Sequence, residues 1–470
     1  MNDMSGSFAK RRIAPEDLAS PQLLRLVFRL GVPAMLGLSI NAAHHTINMI
    51  FVGMIGEHEI AAIMIVLPIL MAVAAFGEGI GVGVATEVGR ALGAKDRARA
   101  NVAASISLVF GVLFGVICAV TLIAFPTQLL ALFGATPALL PLAQGYLMII
   151  ALTVPLTMAQ IIFDFLAIAE GNARFSMWTL IACFALNIIL DPLMIFGLGL
   201  GLQGVAIATI LSQITALGIY GVYHAKKLGT LRLSLGRRMQ SAGALWSVLA
   251  VGAPTTMASL VTSGAIATLL TLAGSYRGED GIAGIGIALR LLAVATLPVI
   301  GISLGAQAIL SFAWGRKDMA RMVSAARILA VVTSAFSIGC GLAMLGFRHD
   351  LARLFADSPE VLAIAGQAIV ATQFPFLLFG MRQTLLVLYQ AQARPRAALA
   401  LGLAQNGYVL FPLLAVLPSA FGFAGLLCAI FAASALTGLL SAWLLVVALL
   451  RLKAGPAGKH LFRPHKSFCP

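Results

Sequence analysis

The stretch "LNIILDPLMIFG", residues 186–197, sets an aspartate in an otherwise apolar run. Asp191 follows Asn187 by one helical turn and precedes Pro192, so a carboxylate and an amide share a face where proline removes a backbone donor. A charge at the bilayer centre costs roughly 2.5–3.5 kcal/mol on insertion scales. A group kept at that cost binds an ion or a proton, or is held by dedicated hydrogen bonds. A second polar cluster lies in "NAAHHTINMIFVG", 41–53, where Asn41, His45 and Asn48 recur at i, i+4 and i+7 with His44 beside them. That spacing builds either an interhelical hydrogen-bond ladder or one wall of an ion or substrate cavity. Imidazole titrates near pH 6.5, which makes His44 and His45 candidates for a proton response, at about neutral pH. Gln160, Asp164, Arg290 and Arg382 are the further polar side chains expected, with Asn41, to line a substrate cavity.

Signatures of catalysis are missing. The sequence contains no H-E-x-x-H and no G-x-x-x-x-G-K-[ST], and its one G-x-S-x-G, "GISLG" at 301–305, lies inside an apolar run with no strand before it. "GLGLQG" at 199–204 matches a dinucleotide fingerprint but has no strand before it, and the glycines 77, 79, 81 and 83 read as close helix packing. The five cysteines lack metal-ligand spacing, so no catalytic residue, cofactor or structural metal is expected.

These groups sit in a chain of 470 residues that is 60% hydrophobic and 10% charged, with mean hydropathy +1.00. Soluble proteins carry about 25% charged residues. Twelve apolar runs near 25–50, 60–86, 101–125, 141–168, 173–196, 202–225, 243–274, 282–311, 323–346, 361–390, 396–418 and 422–450 predict an all-α polytopic membrane protein of twelve transmembrane helices. The net charge of +14 gathers at Lys10–Arg12, Arg90–Arg99, Arg174, Lys226–Arg238, Arg316–Arg327, Arg394–Arg396 and Arg451–Lys466. Every cluster falls at a terminus or in an even-numbered loop. That is the positive-inside pattern, with both termini cytoplasmic, and it removes any need for a nucleic-acid partner. Residues 1–24 lack a cleavage site, so the first span is expected to act as its own insertion signal.

"GIGVGVATEVGRALGAKDRAR" at 79–99 recurs as "GISLGAQAILSFAWGRKDMAR" at 301–321, sharing glycines, Lys95/Lys317, Asp96/Asp318 and Arg99/Arg321. The chain therefore divides into a tail 1–24, an N-lobe 25–225, a basic linker 226–242, a C-lobe 243–450 and a tail 451–470. Six spans per half give both halves one orientation. The two six-helix lobes are then related by a pseudo-two-fold along the membrane normal, with a cleft between them suited to alternating access.

At this point the stretches "INMIFVGMIGEHEIAAI", "GRALGAKDRAR", "FAWGRKDMAR", "EGNARFSMW" and "LNIILDPLMIF" resemble the multidrug and toxic compound extrusion (MATE) family, most closely its DNA-damage-inducible protein F (DinF-like) branch. The resemblance runs from about 22 to 450. It implies a secondary antiporter that exports organic cations and drugs in exchange for H⁺ or Na⁺. In that branch a cation site uses a span-one aspartate, the Asn and Asp of "LNxxLDP", a span-six threonine and a span-four tyrosine. The matching positions are Asn187, Asp191, Thr209 and Tyr146, while Asn48 stands where relatives carry the aspartate. Asp191 is then the one matched carboxylate, and the place where the resemblance would put Na⁺.

The reading is a monomeric antiporter of the bacterial inner membrane, moving small organic, cationic compounds, and not an enzyme. A lipid-linked oligosaccharide or lipid flippase is the alternative within transport, and would need a wide basic cavity. A membrane-embedded lipid-modifying enzyme is the alternative outside it, and would need a nucleophile beside His44 or His45. In a cysteine-free variant, a cysteine near Gly56 should label from outside the cell and one near Lys95 only from the cytoplasm. Reversed labelling would refute the orientation.

Overall fold

The computed structural model describes residues 18–133, 137, 139–233, 242–356 and 358–454, and no strand occurs among them. Most of both tails, linker residues 234–241 and Thr136 lie outside that set. The first lobe contains α1 (Leu23–Gly53), α2 (Glu57–Gly93), α3 (Arg97–Ala124), the pair α4 (Leu140–Ile150) and α5 (Thr153–Ala169), α6 (Ala173–Pro192) and α7 (Gly201–Ala225). The second contains α8 (Ala242–Gly315), α9 (Met319–Gly346), the pair α10 (Pro359–Phe376) and α11 (Phe379–Ala391), α12 (Pro395–Leu403) and α13 (Leu410–Ala454).

Eight helices are long and apolar enough to cross a membrane, and two bent pairs pass the same test together. At 74 residues, α8 would be about 111 Å long if straight, far more than a bilayer of about 30 Å. It turns at Arg277–Gly278, where the backbone leaves helical geometry, and α13 turns likewise at Gly422. Each therefore supplies the boundary between two spans, and the chain has twelve, as the apolar runs predict.

The duplication is visible in backbone detail. Lys95 and Lys317 both adopt positive φ (62° and 58°) at equivalent helix ends. Asp96 and Asp318 then cap the next helix, accepting from Arg99 N at 2.9 Å and Arg321 N at 3.0 Å. Spans four and ten each bend by 48° at their breaks. In span four the cause is Pro155, which cannot bond the Ala151 carbonyl; Val154 N takes it instead at 3.1 Å, in a tighter turn.

The lobes touch along the ends of α2 and α8 nearest the basic loops. A Cβ on Gly252 would fall 2.0 Å from the Gly79 carbonyl oxygen, and one on Gly83 would fall 2.1 Å from that of Val248. Thr256 Oγ1 donates to Ala75 O (3.2 Å), and Gln307 Nε2 donates to Thr86 Oγ1 (2.6 Å). One apolar cluster spans both lobes here. Toward the other end the clusters separate, one within the first lobe and one within the second. The lobes share a core at the basic end and keep separate cores toward the other. Glu87 and Glu170, beside the basic loops, are buried at this end. Glu87 joins Arg90 and Arg99 to Ser247 of α8, while Glu170 accepts from Tyr223, Thr230 and Leu231.

Gly252→Val should force the seam apart, at a cost of about 1–3 kcal/mol for overpacking. The melting temperature is expected to fall by several degrees, with increased labelling of a cysteine in the seam from the basic face. An unchanged melting point and unchanged labelling would refute the backbone contact.

Candidate functional site

Three elements of the first lobe converge on Asn187. It lies on α6 and is 2% exposed, beside Asp191 at 0% and opposite His44 of α1 at 7%. One orientation of its amide satisfies every neighbour. The nitrogen then donates to His44 Nε2 (2.5 Å) and Asp191 Oδ2 (3.1 Å), while the oxygen accepts from the backbone N–H of Thr209 on α7 (3.2 Å). Phe184 of α6 stacks on the His44 ring at 4.5 Å between centroids, fixing its plane. Tyr146 of α4 is buried within electrostatic reach of Asp191. Directly after Pro192 the helix widens into a π turn, Leu193–Gly197, so the carboxylate sits where regular hydrogen bonding stops.

The structure thus brings Asn187, Asp191, Thr209 and Tyr146 together. Thr209 takes part through its backbone; its hydroxyl donates to Val205 O of its own helix at 2.8 Å. Asn48 is half-buried, and its Oδ1 has no partner, so it does not bond Asn187 or Asp191. The inward ridge of α1 differs from the expected one. His44, not His45, is buried, so the ridge runs Asn41, His44, Asn48, at i, i+3 and i+7, and His45 is exposed. Asn41 is half-buried on the same helix.

A second cluster lies deeper in this lobe. Asp164 Oδ1 accepts from Ser176 Oγ of α6 at 2.9 Å and from the Tyr220 hydroxyl of α7. Gln160, one turn earlier, is buried beside Cys183. Tyr220 and Ser176 are the partners sequence reasoning missed; they lie 56 and 12 residues from Asp164, so no helical spacing points to them. Arg290 is exposed on the eighth span and Arg382 is half-buried on α11. Neither reaches the Asn187 network.

Twelve spans thus form two lobes that share a core at one end, and the first lobe holds a carboxylate–amide–imidazole cluster. The MatE family model matches residues 33–193 and 250–416, and the chain belongs to the MATE family. The multidrug export protein MepA of Staphylococcus haemolyticus (strain JCSC1435) is 27% identical over 406 residues, covering 86% of this chain and 89% of the relative. MepA of Staphylococcus aureus (strain N315) is 26% identical over 430 residues, 91% and 94% of the two chains. Among solved structures, a MATE transporter in the bent conformation superposes with a TM-score of 0.89 at 21% identity, covering 95% of this chain and all of its own. An outward-facing multidrug resistance MATE transporter of the MOP superfamily gives 0.87 at 22% identity, with 94% and 99% covered.

The geometry separates the two histidines. His44→Gln should shift the pH dependence of transport, because its ring contacts Asn187 directly. His45→Gln should leave it unaltered. Identical profiles for wild type and both variants would make the pair structural.

Proposed function

We propose that the chain is a secondary antiporter exporting toxic organic compounds, with H⁺ or Na⁺ entering through the site around Asp191. The observation that carries this reading is the Asp191–Asn187–His44 chain of contacts, which places inside a span a carboxylate to which no Lys or Arg among the described residues is bonded. Such a charge is offset when a proton or cation binds. The family and the MepA relatives support drug export; the residues at which the sequence resembles the DinF-like branch support this lobe as the coupling site. With the basic loops cytoplasmic, the end at which the lobe cores separate faces outward, toward the external ion supply.

Asn187 gives the site two settings. An ionised Asp191 and a neutral His44 Nε2 both accept, so the amide nitrogen faces them. A proton on each turns them into donors, and the amide does best with its oxygen facing them. Proton loading therefore reverses one side chain that ties α1 to α6. An ion must favour one lobe arrangement over the other to drive export, since one bound equally would shift nothing.

Asp191→Asn should insert and fold normally yet lose uphill efflux in vesicles with an imposed ΔpH or ΔpNa, while Asp191→Glu retains part of it. Asn187→Ala should weaken coupling less than Asp191→Asn. Thr209→Ala should have little effect, because its contribution comes from the backbone. Efflux at wild-type rates from Asp191→Asn, at matched protein levels, would remove Asp191 from the coupling role.

A further inference from the structure

Charge is divided between the lobes. Glu78, Asp164 and Asp191 stand inside spans of the first lobe. Acids of the second lobe among the described residues, Glu279, Asp280, Asp318, Asp350 and Glu360, fall at turns and helix ends, and residues 361–470 contain neither Asp nor Glu. Yet Arg290 and Arg382 lie within its spans.

Arg382 is the better enclosed of the two. It occupies the first turn of α11, directly after the 48° bend in span ten. Its Nε is buried without a partner, and no acceptor among the described residues bonds its terminal nitrogens. The guanidinium carbon lies 5.8 Å from the centroid of the Phe379 ring, and Tyr408 of the eleventh span is within electrostatic reach. A cation–π contact contributes about 0.5–2 kcal/mol. That is short of the several kcal/mol by which an unpaired ion is destabilised away from water. No carboxylate in its own lobe's spans is there to supply a counter-charge.

The duplication says where this cation stands. Span four ends in a positive-φ turn at Gly171 (89°), and span ten ends in one at Ala393 (54°). Arg382 precedes its turn by the same eleven residues by which Gln160 precedes the other. Gln160 lies one helical turn from Asp164, whose carboxylate faces spans five and six. The same scaffold position that borders an acidic cluster in one lobe holds a lone guanidinium in the other.

We propose that Arg382 binds a carboxylate on the transported compound, and that the preferred substrates are amphoteric. Their cationic centre is held by the acids of the first lobe and their acid group by the second. A guanidinium presents two parallel N–H donors to a carboxylate, a geometry an ammonium lacks. This assignment rests on the export reading but is separable from it.

The test uses the purified full chain in lipid nanodiscs and a matched pair of dyes. Rhodamine B carries a free carboxylate beside its delocalised cation, and its ethyl ester keeps the cation alone. Wild type should bind the free acid about tenfold more tightly than the ester, and Arg382→Gln should erase that preference by weakening the acid while leaving the ester within about twofold. Arg382→Lys should fall between them. Equal affinity for both dyes in wild type, or an equal loss of both in Arg382→Gln, overturns the proposal. If wild-type vesicles export the ester without discriminating, the Arg382 assignment alone fails. If they bind and export neither dye, the export reading fails with it.

Discussion

Backbone pressed against backbone between α2 and α8 is the contact on which the remaining architecture depends. Hydrocarbon offers no hydrophobic drive for one helix to join another inside a bilayer, so association relies on close packing and hydrogen bonds. Gly79 and Gly252 permit an approach that any side chain would prevent, and Thr256 and Gln307 add bonds on the same line. Away from this seam the two lobes keep separate apolar cores.

Span number and the two-lobed plan were legible from apolar runs and from the repeat at 79–99 and 301–321, since both depend on properties that sum along the chain. Legibility failed where neighbours in sequence compete for one face. His44 and His45 differ by about 100° around a helix, and a pattern of three polar residues fits either ridge; only packing against Phe184 and Asn187 selects His44. Thr209 was found by position but not by atom, because its hydroxyl turns back to Val205. The partners of Asp164 could not be found at all, since Tyr220 arrives from another span.

Polarity and symmetry pull against each other in this molecule. The duplicated halves share caps, turns and bends down to the positive φ of Lys95 and Lys317. Their interiors do not share charge. Structural positions were kept while the groups facing inward diverged, so one half holds carboxylates among hydroxyls and amides and the other a guanidinium beside aromatic rings.

The residues around Asp191 come from α1, α4, α6 and α7, all encoded before the basic linker. Domains of a nascent chain generally fold as units, N-terminal first. The ligand shell of this carboxylate is therefore complete when the ribosome has delivered about half the polypeptide. Nothing translated later is needed to shelter the acid. The second half arrives to find its partner's interior already assembled, and contributes the opposing wall rather than the site itself.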